Sequence, residues 1–159
     1  MARRRIIAVS AVTALVIGGG GVAYSLDDYR VREGPFARSA PCAAMVPRLP
    51  EDLLGRARDS VGGAGVVGWG DGSVVLRCGV QPLAPTTDTC VNVNGFDWVL
   101  NDEEAERKGV WVFTTYGRVP AVEVSFKGSQ LAGDVLVKIN DSVREIPPTS
   151  RCLSLEDTP

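Results

Sequence analysis

The chain has 159 residues, 45% of them hydrophobic, with 17 basic and 19 acidic side chains and no histidine. That length and apolar content suit one domain with a buried core, and a net charge of −2 supplies no field for nucleic acid. The missing histidine excludes Ser-His-Asp and Cys-His nucleophile pairs, histidine zinc sites and imidazole pH switches, and leaves carboxylate, tyrosine, lysine and serine–lysine chemistry open.

Residues 1–26 set the address. Arg3, Arg4 and Arg5 precede an uncharged run from Ile6 to Leu26, which as a helix would span about 31 Å, close to one hydrocarbon core. Arginines before the run and Asp27–Asp28 after it place the head in the cytoplasm and the rest of the chain outside, with residues 6–26 as the membrane partner. The competing reading is a secretory leader cut near Gly21-Val22-Ala23; the continuation of the apolar run to spanning length favours the anchor. Gly18–Gly21 has no following Lys-Ser/Thr and sits inside this run, so it is no phosphate loop. Residues 27–40, with Gly34-Pro35 and no periodicity, read as a tether to a domain over 41–155.

From Cys42 to Arg58 the apolar spacing predicts two short helical pieces, broken by Pro47 and Pro50, the second opening with Glu51 and Asp52 in its first turn. After a glycine-rich stretch come strands at Val66–Trp69, Ser73–Val80, Val91–Asn94, Phe96–Leu100, Val110–Tyr116 and Val119–Phe126. Gly117-Arg118 is expected to close a tight hairpin between the last two. Glu103, Glu104 and Glu106 lack the ligand pattern of a calcium loop and read as a solvated linker. A helix over Leu131–Ile146 follows from Leu131, Val135, Ile139 and Val143, with Ser129 as cap and Pro147-Pro148 as stop. The fold class is α+β: a small antiparallel sheet of five to six strands with an N-terminal and a C-terminal helix packed on one face.

Four cysteines and no C-x-x-C favour two structural disulfides over redox chemistry, and their spacing lacks the paired knuckles of zinc sites. Strand alternation puts Cys78 with Val74, Leu76 and Val80 on the aliphatic face. Cys90 lies opposite Val91 and Val93, so Cys78–Cys90 fails the geometry of a disulfide. The expected pairs are Cys42–Cys78, pinning the first helix to the core, and Cys90–Cys152, tying down the tail. Arg77 points away from Cys78 and does not activate it.

No catalytic set, metal-ligand spacing or cofactor motif is present. Trp69, Asp71, Trp98, Tyr116 and Arg118 form a candidate ligand rim near strand ends, with Thr114 and Thr115 beside them. Each also has a plainer reading: buried indoles, an Asp71-Gly72 turn, good strand formers and a Gly117-Arg118 turn. The order Pro41-Cys42, Leu49-Pro50, "GWGDGSVVLRCGV", "VNGFDWVL" and "FTTYGRVPAVEV", then an amphipathic helix, resembles a family of actinobacterial membrane-anchored or exported proteins, the domain of unknown function 3515. The resemblance, over about 41–147, implies an extracytoplasmic α+β domain without assigned activity, whose members often hold only the cysteines matching Cys42 and Cys78. The preferred function is a non-enzymatic envelope module that binds or scaffolds a surface protein or glycan. The alternative is an enzyme acting on wall polymer or peptide, with Asp71, Asp97 and Glu123 as candidate acids. Peptide mapping of the non-reduced protein is expected to yield Cys42/Cys78 and Cys90/Cys152 peptides; a linked Cys78/Cys90 peptide would overturn the face argument.

Overall fold

The computed structural model describes residues 31–127 and 132–153. The 1–26 segment, the start of the tether, Ser129 and Leu131 lie outside the described residues. No helix among the described residues is long and apolar enough to cross a membrane.

Six antiparallel strands make one sheet: β1 (Val66–Trp69), β2 (Val74–Val80), β3 (Cys90–Val93), β4 (Phe96–Leu100), β5 (Val110–Thr115) and β6 (Ala121–Lys127), in the order β1-β2-β6-β5-β4-β3. Among the described residues three helices accompany it: α1 (Ala40–Met45), extended by a 3₁₀ turn at Val46–Arg48, α2 (Asp102–Lys108) and α3 (Ala132–Val143). The class is α+β.

Alternation builds the core. The register aligns Val67 with Leu76, Leu76 with Val124, Val124 with Phe113 and Phe113 with Leu100, so one face of the sheet carries an unbroken apolar layer. Phe113 stacks on Phe126 at 5.9 Å and on Trp111 at 6.3 Å between ring centroids. Cys42 and Met45 of α1 and Val135, Leu136, Ile139 and Val143 of α3 are buried in the same cluster. The other face is polar along its middle, where Arg77 and Glu123 sit directly across β2 and β6 and pair at 2.7 Å.

Two tryptophans deep in the core keep their indole N–H satisfied, as burial requires. Trp69 donates to the Pro50 carbonyl at 2.8 Å and Trp98 to Asn140 Oδ1 at 3.1 Å. Asn140 in turn donates to the Val93 carbonyl at 2.8 Å, linking α3 to β3.

Three expectations change. The second helical piece, from Pro50, is irregular chain: Asp52 bridges Ala57, Arg58 bridges Trp69, and Leu54 and Gly55 take φ of 55° and 79°. Leu53 within it and Leu49 just before it still fill the core, which is why the spacing mimicked a helix. The Glu103–Glu106 stretch is helix α2, capped by Asn101 and ended by Gly109 in the left-handed conformation. It has no fully buried residue, only Ala105 resting against the core, and relies on acids in its first turn, bases in its last and the i,i+4 pairs Glu103–Arg107 and Glu104–Lys108, a combination that complements the helix dipole. Gly117-Arg118 closes no two-residue hairpin; β5 and β6 are joined by residues 116–120, with a cis Val119–Pro120 bond.

The stretch read as a tether is docked from Gly34 onward. Phe36 N–H donates to the Gly79 carbonyl at 2.8 Å, and Gly34 and Gly79 approach so closely that neither leaves space for a side chain. Gly79 sits at an irregularity between Cys78 and Val80 in the pairing of β2 with β6, at φ 89°.

Disulfides join Cys42 to Cys78 and Cys90 to Cys152. The first is fully buried and the second half-buried. On graded reduction with trapping by alkylation, Cys90 and Cys152 are expected to be labelled at lower reductant than Cys42 and Cys78; the reverse order would contradict the burial. A Cβ at Gly79 would lie 2.3 Å from the Ala37 nitrogen, whereas one at Gly95, at φ 84°, meets nothing. Gly95→Ala is therefore expected to cost about 1 kcal/mol by conformation alone, and Gly79→Ala about 3 kcal/mol or more through added overlap, as read from urea denaturation.

Candidate functional site

The C-terminal segment 147–153 crosses the edge of the polar face and encloses a cleft of about 700 Å³ against β3, β4 and the β5–β6 connection. Its path is fixed at three points. Thr149 donates from both its N–H and its hydroxyl to the Gly117 carbonyl, at 2.6 and 3.0 Å. The Cys152 N–H donates to Asp97 Oδ2 at 2.9 Å, and Cys152 is bonded to Cys90. Gly117 is required here, because a Cβ on it would fall 1.9 Å from the Ser150 carbonyl oxygen.

Asp97 stands on the polar side of β4, across from Asn92 of β3. The Asn92 amide donates to Asp97 Oδ1 at 2.6 Å while its own oxygen accepts from Gly95 N–H at 3.0 Å. The Asn94-Gly95 turn thus orients the amide that orients the carboxylate.

Arg118 is the unusual member. It is only 4% exposed, yet it lines the cleft. Its Nη1 donates to the Ile146 carbonyl just beyond α3, and its guanidinium carbon lies 4.5 Å from the centroid of the Phe96 ring, a cation–π contact. Its Nε is buried without a hydrogen-bond partner. Burial pulls the group below its ordinary pKa, Asp97 opposes the shift and Arg144 adds to it; an arginine remains charged throughout. Asp97 and Arg118 therefore face one cleft with opposite charge, and no ion pair joins them among the described residues.

Of the five rim candidates, only Tyr116 and Arg118 reach this cleft. Trp69 and Trp98 are both 0% exposed and are separated in the sheet by β2, β6 and β5; they are core, because each finds its N–H partner inside. Asp71 is an exposed turn residue at φ 54°, its N–H held by Asp59 at 3.0 Å. Thr114 and Thr115 are buried, and the Thr115 hydroxyl accepts from Val122 N–H.

The candidate acids do not converge. Glu123 is committed to Arg77, Asp97 to Asn92 and Cys152, and Asp71 lies in the β1–β2 turn. Cys90, Asp97 and Cys152 place one ligand atom each within 4.8 Å of one another, but the two sulfurs are bonded to each other and offer no thiolate to a metal. The cleft residues that sequence reasoning missed are Asn92 and the 148–151 segment, which meet through long-range contacts: the Cys90–Cys152 bond, Cys152 with Asp97 and Thr149 with Gly117.

No curated protein and no solved structure matches the chain. A family model matches residues 6–151, and with that span the chain belongs to the family described as protein of unknown function, DUF3515.

Proposed function

We propose that this is a non-enzymatic binding module of an actinobacterial cell envelope, held at the membrane by residues 6–26 with its domain outside the cell. The two disulfides support an oxidising compartment, and the arginine head before the apolar run supports the orientation. In this reading α1 and α3 lie over the apolar face of the sheet, and the polar face with its cleft is left to an envelope component.

The observation that carries the proposal is Arg118: a buried cation that lines a cleft while one of its nitrogens, Nε, is sealed from solvent without a partner. Burying a charge in that state is unfavourable unless a ligand or solvent completes its hydrogen bonds. Stability alone would be served better by an apolar side chain on Phe96. Cleft shape, a half-buried tyrosine and a small number of polar groups are the ordinary makings of a ligand site.

The test uses the full-length protein in intact cells, with a photoreactive residue replacing Ser150 in one variant and Asp71 in another. Irradiation is expected to attach an envelope component at position 150 and not at position 71. Equal labelling from both positions, or none from position 150, would overturn the reading, as would protection of a tag after Pro159 from protease added outside the cells.

A further inference from the structure

We infer that the cleft receives a zwitterionic amino-acid group, with its carboxylate on Arg118 and its ammonium on Asp97. The inference rests on the binding-module reading and names the ligand chemistry of that same site.

The charges make the selection. Asp97 and Arg118 line one cleft, and the charge of Asp97 is felt at Arg118, yet they form no ion pair. A simple anion would meet Arg118 and be repelled by Asp97; a simple cation would meet the reverse. A neutral sugar would leave both charges uncompensated. A group carrying both charges a few bond lengths apart satisfies the two at once.

The hydrogen-bond inventory agrees. Arg118 has committed Nη1 to Ile146 and its Nε is sealed from solvent, which leaves Nη2 as the guanidinium donor to meet a carboxylate. Each Asp97 oxygen accepts one N–H, from Asn92 and from Cys152, and a carboxylate has lone pairs for more. The Ser150 and Thr149 side chains and the aromatic ring of Tyr116 line the remaining wall.

Two sources share this chemistry: a free α-amino acid, and the amino-acid centre at the end of a diamino-acid side chain in a peptide. A cleft of about 700 Å³ is in the range that encloses a ligand of drug size, larger than a free amino acid needs, which favours the peptide-borne source.

Full-length protein in detergent micelles is titrated with a tripeptide ending in diaminopimelate, with the same peptide acetylated on its free amine, with the form amidated on the neighbouring carboxylate, and with free alanine. Calorimetry gives affinity, and nitrogen-resolved NMR of Arg118 Nε reports the place. The parent peptide is expected to bind and each blocked form to bind about tenfold more weakly, the scale of one lost charge-assisted contact. Asp97→Asn is expected to abolish the penalty for acetylation and Arg118→Lys the penalty for amidation. If Arg118→Lys fails to fold for want of the Ile146 contact, Asp97→Asn decides alone.

Alanine binding as tightly as the peptide would assign the free amino acid as source; weaker binding would assign the peptide. Blocked forms that bind at the cleft as well as the parent would overturn the zwitterion inference and leave the binding module standing. A parent peptide that gives no shift at Arg118 would overturn the inference, and the crosslinking from position 150 then separately decides the module.

Discussion

A guanidinium withdrawn from water has to be surrounded by groups that tolerate its charge, and around Arg118 those groups come from two distant parts of the chain, residues 96–97 and 146–148. Phe96 of β4 offers its ring, the Ile146 carbonyl beyond α3 accepts a hydrogen bond, Asp97 contributes opposite charge, and Pro148 bridges its backbone. Arg144 also approaches the Phe96 ring, at 5.5 Å, and opposes Arg118 by like charge. The Arg118 side chain thus ties the β5–β6 connection to β4 and to the chain just beyond α3, beside the contacts of Thr149 and Cys152 that fix the C-terminal segment. A low local dielectric makes such contacts strong and makes any missing partner costly, so the residue that organises the region is also the one whose hydrogen bonding is incomplete.

The rest of the domain is held by different physics. The sheet has one dry face, continuous from Val67 to Val93 across six strands, and α1 and α3 supply only 6 and 12 residues of helix. Irregular chain around Leu49 and Leu53 adds to the cluster, and the Cys42–Cys78 bond ties α1 to β2. A domain of this size gains proportionately more from a staple than a larger one would, since its core is modest. Backbone contact at Gly34 and Gly79 then extends the packed body to residues that have no apolar pattern of their own.

What could be read from sequence was whatever repeats. Alternation located β2, β4 and β6 because one face of each strand is apolar, and it placed Cys78 with Leu76 and Val74. The four-residue repeat of Val135, Ile139 and Val143 located α3. Helix α2 escaped because it has no fully buried residue, so it has no stripe; its marks were the Asn101 cap, the charge order and Gly109. The irregular 50–58 segment misled because Leu49 and Leu53 are buried at helical spacing without a helix. Arg118 was legible as a rim candidate in a turn but not as a buried cation, since its burial depends on residues 146–149, which no local pattern links to position 118. The indoles were conspicuous in sequence for the same reason that they are hidden in the structure: large aromatic surface with one donor to satisfy.

The Cys90–Cys152 bond spans 62 positions, against 36 for Cys42–Cys78, and this difference orders events in time. A chain made from its N-terminus presents Cys42 and Cys78 together before Cys152 exists. Cys90 must then wait as a free thiol while β4, α2, β5, β6 and α3 emerge. Its half-buried strand lies on the opposite face from Cys78, so the sheet itself keeps the waiting thiol from its nearest wrong partner. The cleft against the 147–153 segment is consequently the last part of the molecule to be completed, because its closure waits on the pairing of Cys90 with Cys152.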